Sequence, residues 1–542
     1  MIFIETDIQK NTDDIHALTK AFFPGEEIRI TLCDGMSDGI EHPVIKPENC
    51  GKVGKIVYKS DMGAMFETDI PKDSKDELKR SLYRALSLYT DRILPWGSLT
   101  GIRPTRLVRK RIEAGMNDDE ILADMKNSYY ASDEKTLLSI EIAKKELALL
   151  KELYGEPSDL LSERCHSDIS RDELEADTGL TRTGLHYSLY VDIPFCPTRC
   201  LYCSFTSNAV GRDRSRVLAY LDALEAEICA SAELMRGRVL DTVYIGGGTP
   251  TALLPDELDR LLMALREAFD VDSSGEFTVE AGRPDSIDKD KLLVLKKHGV
   301  TRISVNPQTM NQRTLDIIGR RHTVEQVREA YYLAREMGFD NINMDMILGL
   351  PGESVEDVKN TVNELCKLNP DSLTIHTLAV KRASVLKEML EGRDASDLQG
   401  SRGNSEAVNG ERDADIHREV IEAENAGRKS VSSEYLNDAI ERMMTVATMG
   451  ARSLGMSPYY LYRQKNMSGN LENTGYAKEG KYGLYNILIN EEVQDILALG
   501  AGAISKRVDE EGNTKRSANF KEVHDYISNI DKVIDKKKVL WI

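Results

Sequence analysis

The stretch SLYVDIPFCPTRCLYC (188–203) decides the reading of this chain. Its first seven residues, ending at Pro194, form a short apolar-rich run bounded by proline, the signature of a strand. Directly after it stand Cys196, Cys200 and Cys203, a C-x3-C-x2-C triplet packed into eight residues. Three thiolates on one loop can converge on three corners of an iron–sulfur cube. Zinc also takes thiolates, but a structural zinc site closes with four ligands, and no fourth Cys or His lies nearby in sequence. A missing fourth ligand leaves one iron open to a small molecule.

Outward from this stretch the chain alternates strand, turn and helix. Strand candidates are 188–194, 241–246, 276–281, 302–306, 341–347 and 372–380, separated by helical segments such as 213–234, 256–268, 323–337 and 354–367. Six such repeats predict an α/β fold, a partial (β/α)6 parallel barrel, with the cysteines at the C-terminal end of its first strand, where barrel enzymes place their active sites. The two further repeats of an eight-stranded barrel are not evident. The expected organisation is a small α/β module (1–72), a helical region (73–155), a polar connector (156–185), the barrel core (186–385), a flexible insert (386–432) and a C-terminal domain covering the substrate (433–542). The insert expectation rests on 391–414, which has no aromatic and only Leu398 and Val408 as large aliphatics, too little to offset ordering entropy.

The composition excludes several classes. With 542 residues, about three domains are expected. Hydrophobic residues at 41% and charged residues at 30% suit a globular protein. A net charge of −19 argues against general nucleic-acid affinity. No run approaches the ~20 apolar residues of a membrane span, and MIFIETDIQK lacks a secretory pattern, so a cytoplasmic location is expected. Eight cysteines imply no disulfide scaffold. Cys33, Cys50, Cys165, Cys229 and Cys366 read as small buried hydrophobes. GIRPTRLVRKR carries five basic residues between Arg103 and Arg111, either a solvated helix face or an anion site.

The cysteine triplet, with Tyr202 before its third member, resembles that of the radical S-adenosylmethionine enzymes. The resemblance implies a [4Fe–4S] cluster on Cys196, Cys200 and Cys203 and S-adenosylmethionine chelated by the open iron. LYVDIPFCPTRCLYC is similar to the oxygen-independent coproporphyrinogen III oxidase/dehydrogenase group, with Tyr190 matching its tyrosine six residues before the first Cys. The run Gly246-Gly247-Gly248-Thr249-Pro250 after the second strand resembles the family's site for the methionine amine and carboxylate, and exposed backbone N–H groups are expected there. Glu280, Gln308, Arg320 and Asp345 resemble residues holding the ribose, amine or carboxylate. Ala379 and Ile504 match positions flanking the adenine and the second-ligand region. Strand alternation puts Asn341, Asn343 and Asp345 on one face as a polar lumen. His376, by the same alternation counted from Ala379, is expected to face away from it.

The region around GIRPT and the stretch 459–477 resemble the HemZ-type branch of this group. That resemblance implies oxidative decarboxylation of coproporphyrinogen III to protoporphyrinogen IX in porphyrin biosynthesis, with a tetrapyrrole substrate and an electron donor such as flavodoxin or ferredoxin. Lys381, Arg382, Arg463 and Lys465 are candidates to pair with the propionates. One departure bears on this. Oxidase/dehydrogenase members carry another Cys two residues after the third cluster Cys, where this chain has Phe205, as the related haem chaperone does. A haem-binding chaperone and a radical-dependent haem-modifying protein are therefore the alternatives.

Overall fold

The computed structural model describes residues 1–23, 26–32, 44–45, 53–60, 63–71, 74–101, 103–154, 185–203, 208–211, 213–379, 433–464, 470–509 and 513–541. The connector before 185, Lys381, Arg382, Lys465, Phe205 and the insert 386–432 lie outside them.

The N-terminal module is one sheet of β1 (Ile2–Thr6), β2 (Ile28–Leu32), β3 (Val44–Ile45), β4 (Val53–Ser60) and β5 (Gly63–Pro71), in the order β2-β1-β4-β5-β3. The helices Thr12–Phe22 and Lys75–Thr90 cover it, burying Ile15, Leu18, Phe22, Leu78, Leu82 and Leu86 against Ile4, Tyr58 and Phe66. Helices Thr105–Glu113, Asp118–Tyr129 and Asp133–Tyr154 follow, the second started by an Asn117/Glu120 capping box.

The core strands are β6 (His186–Ile193), β9 (Val239–Gly247), β10 (Glu276–Glu280), β11 (Arg302–Ser304), β12 (Ile342–Leu348) and β13 (Ser372–Thr377), with a short pair β7 (Phe195–Cys196) and β8 (Asn208–Ala209) in the cysteine loop. All six pair in parallel and in sequence order. Helices Ser215–Leu234, Pro255–Ala268, Val324–Glu336 and Val355–Leu368 fall where periodicity puts them. The shorter Lys289–Lys297 and Gln312–Ile317 escape it, being about two turns long.

Pleating sorts the strands into two chemistries. Leu189, Val191, Val243, Ile245, Val279, Ile303, Met344 and Ile375 point outward and are buried under the helices. On the other face Tyr190 stands in register with Tyr244, and Glu280 with Ser304 and, one strand further, Asn343. This inner face is mainly polar, with Ile347 near the end of β12 as an apolar exception.

The C-terminal residues join the same sheet. β14 (Ser457–Tyr462) and β15 (Asn473–Ala477) extend it antiparallel beyond β13. β16 (Asp495–Leu499) adds a seventh parallel strand beside β6, followed by β17 (Ile504–Val508) and β18 (Thr514–Ala518). Part of 433–542, expected as a covering domain, is thus integral to the core, and β16 supplies a further parallel strand beyond the six repeats expected. The sheet runs β14-β15-β13-β12-β11-β10-β9-β6-β16-β17-β18. The helix Leu484–Glu491 plugs the N-terminal ends of the strands: Leu484 N–H donates to Glu276 Oε2 at 2.6 Å. Among the described residues no helix is long and apolar enough to cross a membrane.

Candidate active site at the C-terminal ends of the strands

The cysteine loop leaves β6 and is tied down on three sides by backbone bonds. Gly248 N–H donates to Ile193 O at 2.9 Å and Thr249 N–H to Phe195 O at 2.7 Å. Val210 N–H donates to Cys196 O at 3.0 Å, and Leu201 N–H to Ile318 O at 3.0 Å. Cys196, Cys200 and Cys203 form no disulfide among the described residues. Cys196 Sγ lies 3.4 Å from Thr249 Oγ1, and Arg283 donates to Cys200 Sγ at 3.7 Å. Burial pushes the Cys196 thiol up to about 11, so a thiolate there needs a positive partner. Three thiols on one pinned loop, with a guanidinium against one of them, fit three corners of a [4Fe–4S] cluster.

The glycine turn differs from expectation. Two of the N–H groups expected to meet a ligand carboxylate, those of Gly248 and Thr249, are used by the cysteine loop itself. The glycines answer to packing: a Cβ on Gly248 would meet Phe195 O at 2.6 Å, and one on Gly247 (φ +101°) the Asp192 carboxylate at 2.6 Å.

Below the loop the lumen collects carboxylates and tyrosines. Glu280 ends β10 and accepts from Tyr244 OH at 2.6 Å. Burial, with Asp345 and Asp192 nearby, raises its carboxyl to about 7 despite that bond. Asp192, which sequence reasoning missed, is also raised by burial to about 7 and accepts from Tyr190 OH at 3.2 Å. Asp345 behaves oppositely. Burial lifts its carboxyl, but the nearby His376, the Asn343 hydrogen bond and Thr374 prevail and hold it below the usual range. Asn343 Nδ2 is 2.7 Å and His376 Nε2 3.7 Å from the Asp345 carboxylate. His376 therefore faces the lumen, contrary to the alternation argument. Register pairs Asp345 with Thr374, and His376 shares Thr374's face, whereas Ala379 lies past the end of β13, where alternation no longer holds. Tyr485, carried in by the plugging helix, stacks on Tyr244 at 4.4 Å, with Tyr190 at 6.2 Å from each.

Gln308 sits with φ +66°, strained for a non-glycine residue, bonded through its backbone to Asp345 and Ile347. Its Oε1 and Asn306 Oδ1 are buried without a partner, as ligand-facing acceptors would be. Arg320 donates to Asn306 O at 2.5 Å and stands against Tyr202 and Cys200, so it braces the cysteine loop besides any ligand contact. Tyr202 packs with Leu315, Ile317 and Ile347. Ala379 is partly buried, and Ile504 is half-exposed at the start of β17.

Arg463 is a correction. It is buried, donates to Leu99 O at 2.7 Å and Asn470 O at 3.1 Å, and lies over the Trp96 ring. Burial lowers it to about 10. It joins two parts of the chain and is not offered to a propionate. The GIRPT arginines likewise meet carboxylates of this chain: Arg103 pairs with Glu492 at 2.7 Å, Arg109 with Glu491 and Arg111 with Asp124 at 2.5 Å. Among the described residues, Arg283, Asp192, Asn306, Tyr244 and Tyr485 are site groups missed. Tyr244 and Tyr485 are signalled only by register and by a helix distant in sequence.

Comparison with known proteins follows the same lines. The radical SAM superfamily model matches residues 190–365. Over 477 residues the chain is 38% identical to the oxygen-independent coproporphyrinogen-III oxidase-like protein HemZ of Bacillus subtilis, covering 87% of this chain and 82% of that protein. It is 34% identical to the heme chaperone HemW of B. subtilis over 38% of this chain and 53% of HemW. It is 36% identical to the oxygen-independent coproporphyrinogen III oxidase of Escherichia coli over 35% of this chain and 42% of the oxidase. These two matches take in only about half of each relative. Among solved structures, coproporphyrinogen III oxidase (HemN) from E. coli aligns at 24% identity and a TM-score of 0.45, over 71% of this chain and 77% of that one. A parallel core with a three-cysteine loop at its C-terminal mouth, and similarity to HemZ along most of both chains, establish that the chain belongs to the radical SAM superfamily, among the HemZ-like relatives of oxygen-independent coproporphyrinogen III oxidase.

Proposed function

We propose that this chain oxidatively decarboxylates coproporphyrinogen III to protoporphyrinogen IX, converting two propionates to vinyl groups without oxygen. The observation that carries the reading is the placement of the cysteine loop directly over a polar lumen closed at its base by Leu484–Glu491. Similarity to the coproporphyrinogen-III oxidase-like protein HemZ supports the substrate class. Membership of the family brings a [4Fe–4S] cluster and S-adenosylmethionine as cofactors. Together these would supply, on one-electron reduction by a donor such as flavodoxin or ferredoxin, a carbon radical able to take a hydrogen atom from the propionate β-carbon; transfer of one further electron to an external one-electron acceptor and loss of carbon dioxide would then leave the vinyl.

The protein's own part is positioning. Cys196, Cys200 and Cys203 hold the cluster. Asn306 Oδ1 and Gln308 Oε1, both unpartnered, and the Glu280 and Asp345 carboxylates offer acceptors to an ammonium and ribose hydroxyls. The Tyr190, Tyr244 and Tyr485 rings fill the lumen beneath and exclude water from the radical. Lys381, Arg382 and Lys465, outside the described residues, remain the proposed partners of the propionates.

A haem-chaperone reading is favoured by Phe205, which stands where oxidase/dehydrogenase members carry another Cys, together with the similarity to HemW. Anaerobic incubation of reconstituted protein with reductant, S-adenosylmethionine and either coproporphyrinogen III or haem, followed by mass spectrometry, separates the two. Loss of two carbon dioxide units with vinyl formation supports the enzyme. Bound, unaltered haem with no vinyl product overturns it.

A further inference from the structure

Arg283 has no task in the reaction as outlined, yet its placement is highly constrained. It is 2% exposed, on the turn after β10. Pro284 restricts it to extended backbone (φ −120°, ψ 110°), and its carbonyl accepts from Ser286 N at 2.9 Å and Ser286 Oγ at 2.7 Å. A guanidinium has five N–H donors in a rigid fork, and five contacts account for all of them. Nε and Nη2 grip the Asp285 carboxylate at 2.9 and 2.8 Å. Nη1 reaches Thr198 O at 3.2 Å and Nη2 reaches Thr198 Oγ1 at 3.1 Å. The last goes from Nη1 to Cys200 Sγ at 3.7 Å, an ordinary separation for sulfur.

We propose that Arg283, oriented by Asp285 and Thr198, is a positioning residue that sets the reduction potential of the cluster by donating an N–H to Cys200 Sγ. Reduction adds one negative charge to the cluster and its thiolates. A buried cation and an N–H···S bond stabilise the reduced state more than the oxidised one, which raises the potential. Asp285, 2.8 Å from the same guanidinium, partly cancels that cation. The two residues therefore pull in opposite directions. The easier the cluster is to reduce, the weaker the electron donor that suffices.

The test is an EPR-monitored redox titration of the full-length, reconstituted protein, with iron and sulfide content measured alongside. Arg283→Gln is expected to raise the oxidised-to-reduced ratio at the wild-type midpoint about tenfold, equivalent to ~59 mV for a one-electron couple. Asp285→Asn is expected to shift the ratio the other way. Arg283→Lys, keeping the charge without the fork, falls between Arg283→Gln and wild type. An unchanged midpoint in Arg283→Gln at wild-type iron content overturns the proposal. So do shifts of the same sign in Arg283→Gln and Asp285→Asn, since loosening of the loop alone would give them. If Arg283→Gln loses its cluster, Arg283→Lys and Asp285→Asn decide by the same opposite signs. A wild-type chain that takes up no four-iron cluster overturns the cluster assignment itself, a distinct failure seen before any titration.

Discussion

Glu280 owes its properties to its surroundings more than to its type. Half-buried among other acids, with desolvation the main cause, it is raised to about 7 from an ordinary 4.5. The folded chain thus keeps a proton that the unfolded chain releases. Its contribution to stability is fully present below pH 4.5 and is lost as pH rises through about 7, a difference of roughly 3 kcal/mol. Melting curves of the ligand-free protein should show wild type losing ground to Glu280→Gln across that window. Parallel curves would refute the burial argument. Glu280→Ala should also weaken S-adenosylmethionine about ten- to a hundredfold by calorimetry, the loss of a charged hydrogen bond worth ~1.5–3 kcal/mol, with iron content unchanged. Cys200→Ala should abolish cluster uptake and cofactor cleavage. Cys229→Ala, on an exposed helix face, should leave both intact, and its failure to do so would unseat the assignment. The three cluster cysteines were legible because spacing along one loop is a property of sequence. Asp192 and Arg283 were not, because a single charge near a strand end carries no sign of what it will face.

Between residue and molecule, the instructive element is the turn after β9. Its glycines read as a ligand cradle, yet Gly248 stands where a Cβ would strike Phe195 O, and its N–H serves Ile193. Gly248 has no positive φ, so the requirement is space alone. Gly248→Ala should cost ~1–3 kcal/mol as overpacking and, by moving the cysteine loop, lower iron content after reconstitution. Full iron loading with unchanged melting would show that the contact relaxes freely. The strands and long helices were readable from periodicity because each repeats its pattern over several turns or pleats. His376 was misassigned because alternation was counted across a strand end, where the pleat ceases to govern direction.

At the scale of the molecule, the N-terminal helices are bound to the C-terminal strands through buried polar groups. Glu472, 1% exposed, accepts from Trp96 Nε1 at 2.8 Å and pairs with Lys135 Nζ at 2.7 Å. Lys135 is raised because attraction to Glu472 outweighs its burial. Arg452 joins Glu141 at 2.7 Å on the outer edge of the same contact. Glu472→Gln takes away the buried partner of Lys135 and leaves it only the exposed Glu134 at 3.3 Å, so denaturant unfolding should show a loss of several kcal/mol, up to the ~3–5 kcal/mol of a broken buried pair. The Asp133–Tyr154 helix should become protease-sensitive first. Loss of less than 1 kcal/mol would mean that water reaches the pair.

By itself the sequence determined what depends on neighbours along the chain: the cysteine triplet, the six strand–helix repeats, and the polar face of β12. Spacing and period are local, and local physics sets them. Only the tertiary structure decided what depends on distant partners. It gave β16 to the core as a seventh parallel strand, turned Arg463 inward onto backbone carbonyls and set the arginines of GIRPTRLVRKR against carboxylates of the same chain. A basic side chain looks the same in sequence whether it will meet a propionate, water or a glutamate hundreds of residues away. Packing brings that partner, and the cost of burying an unpaired charge then makes the pairing binding.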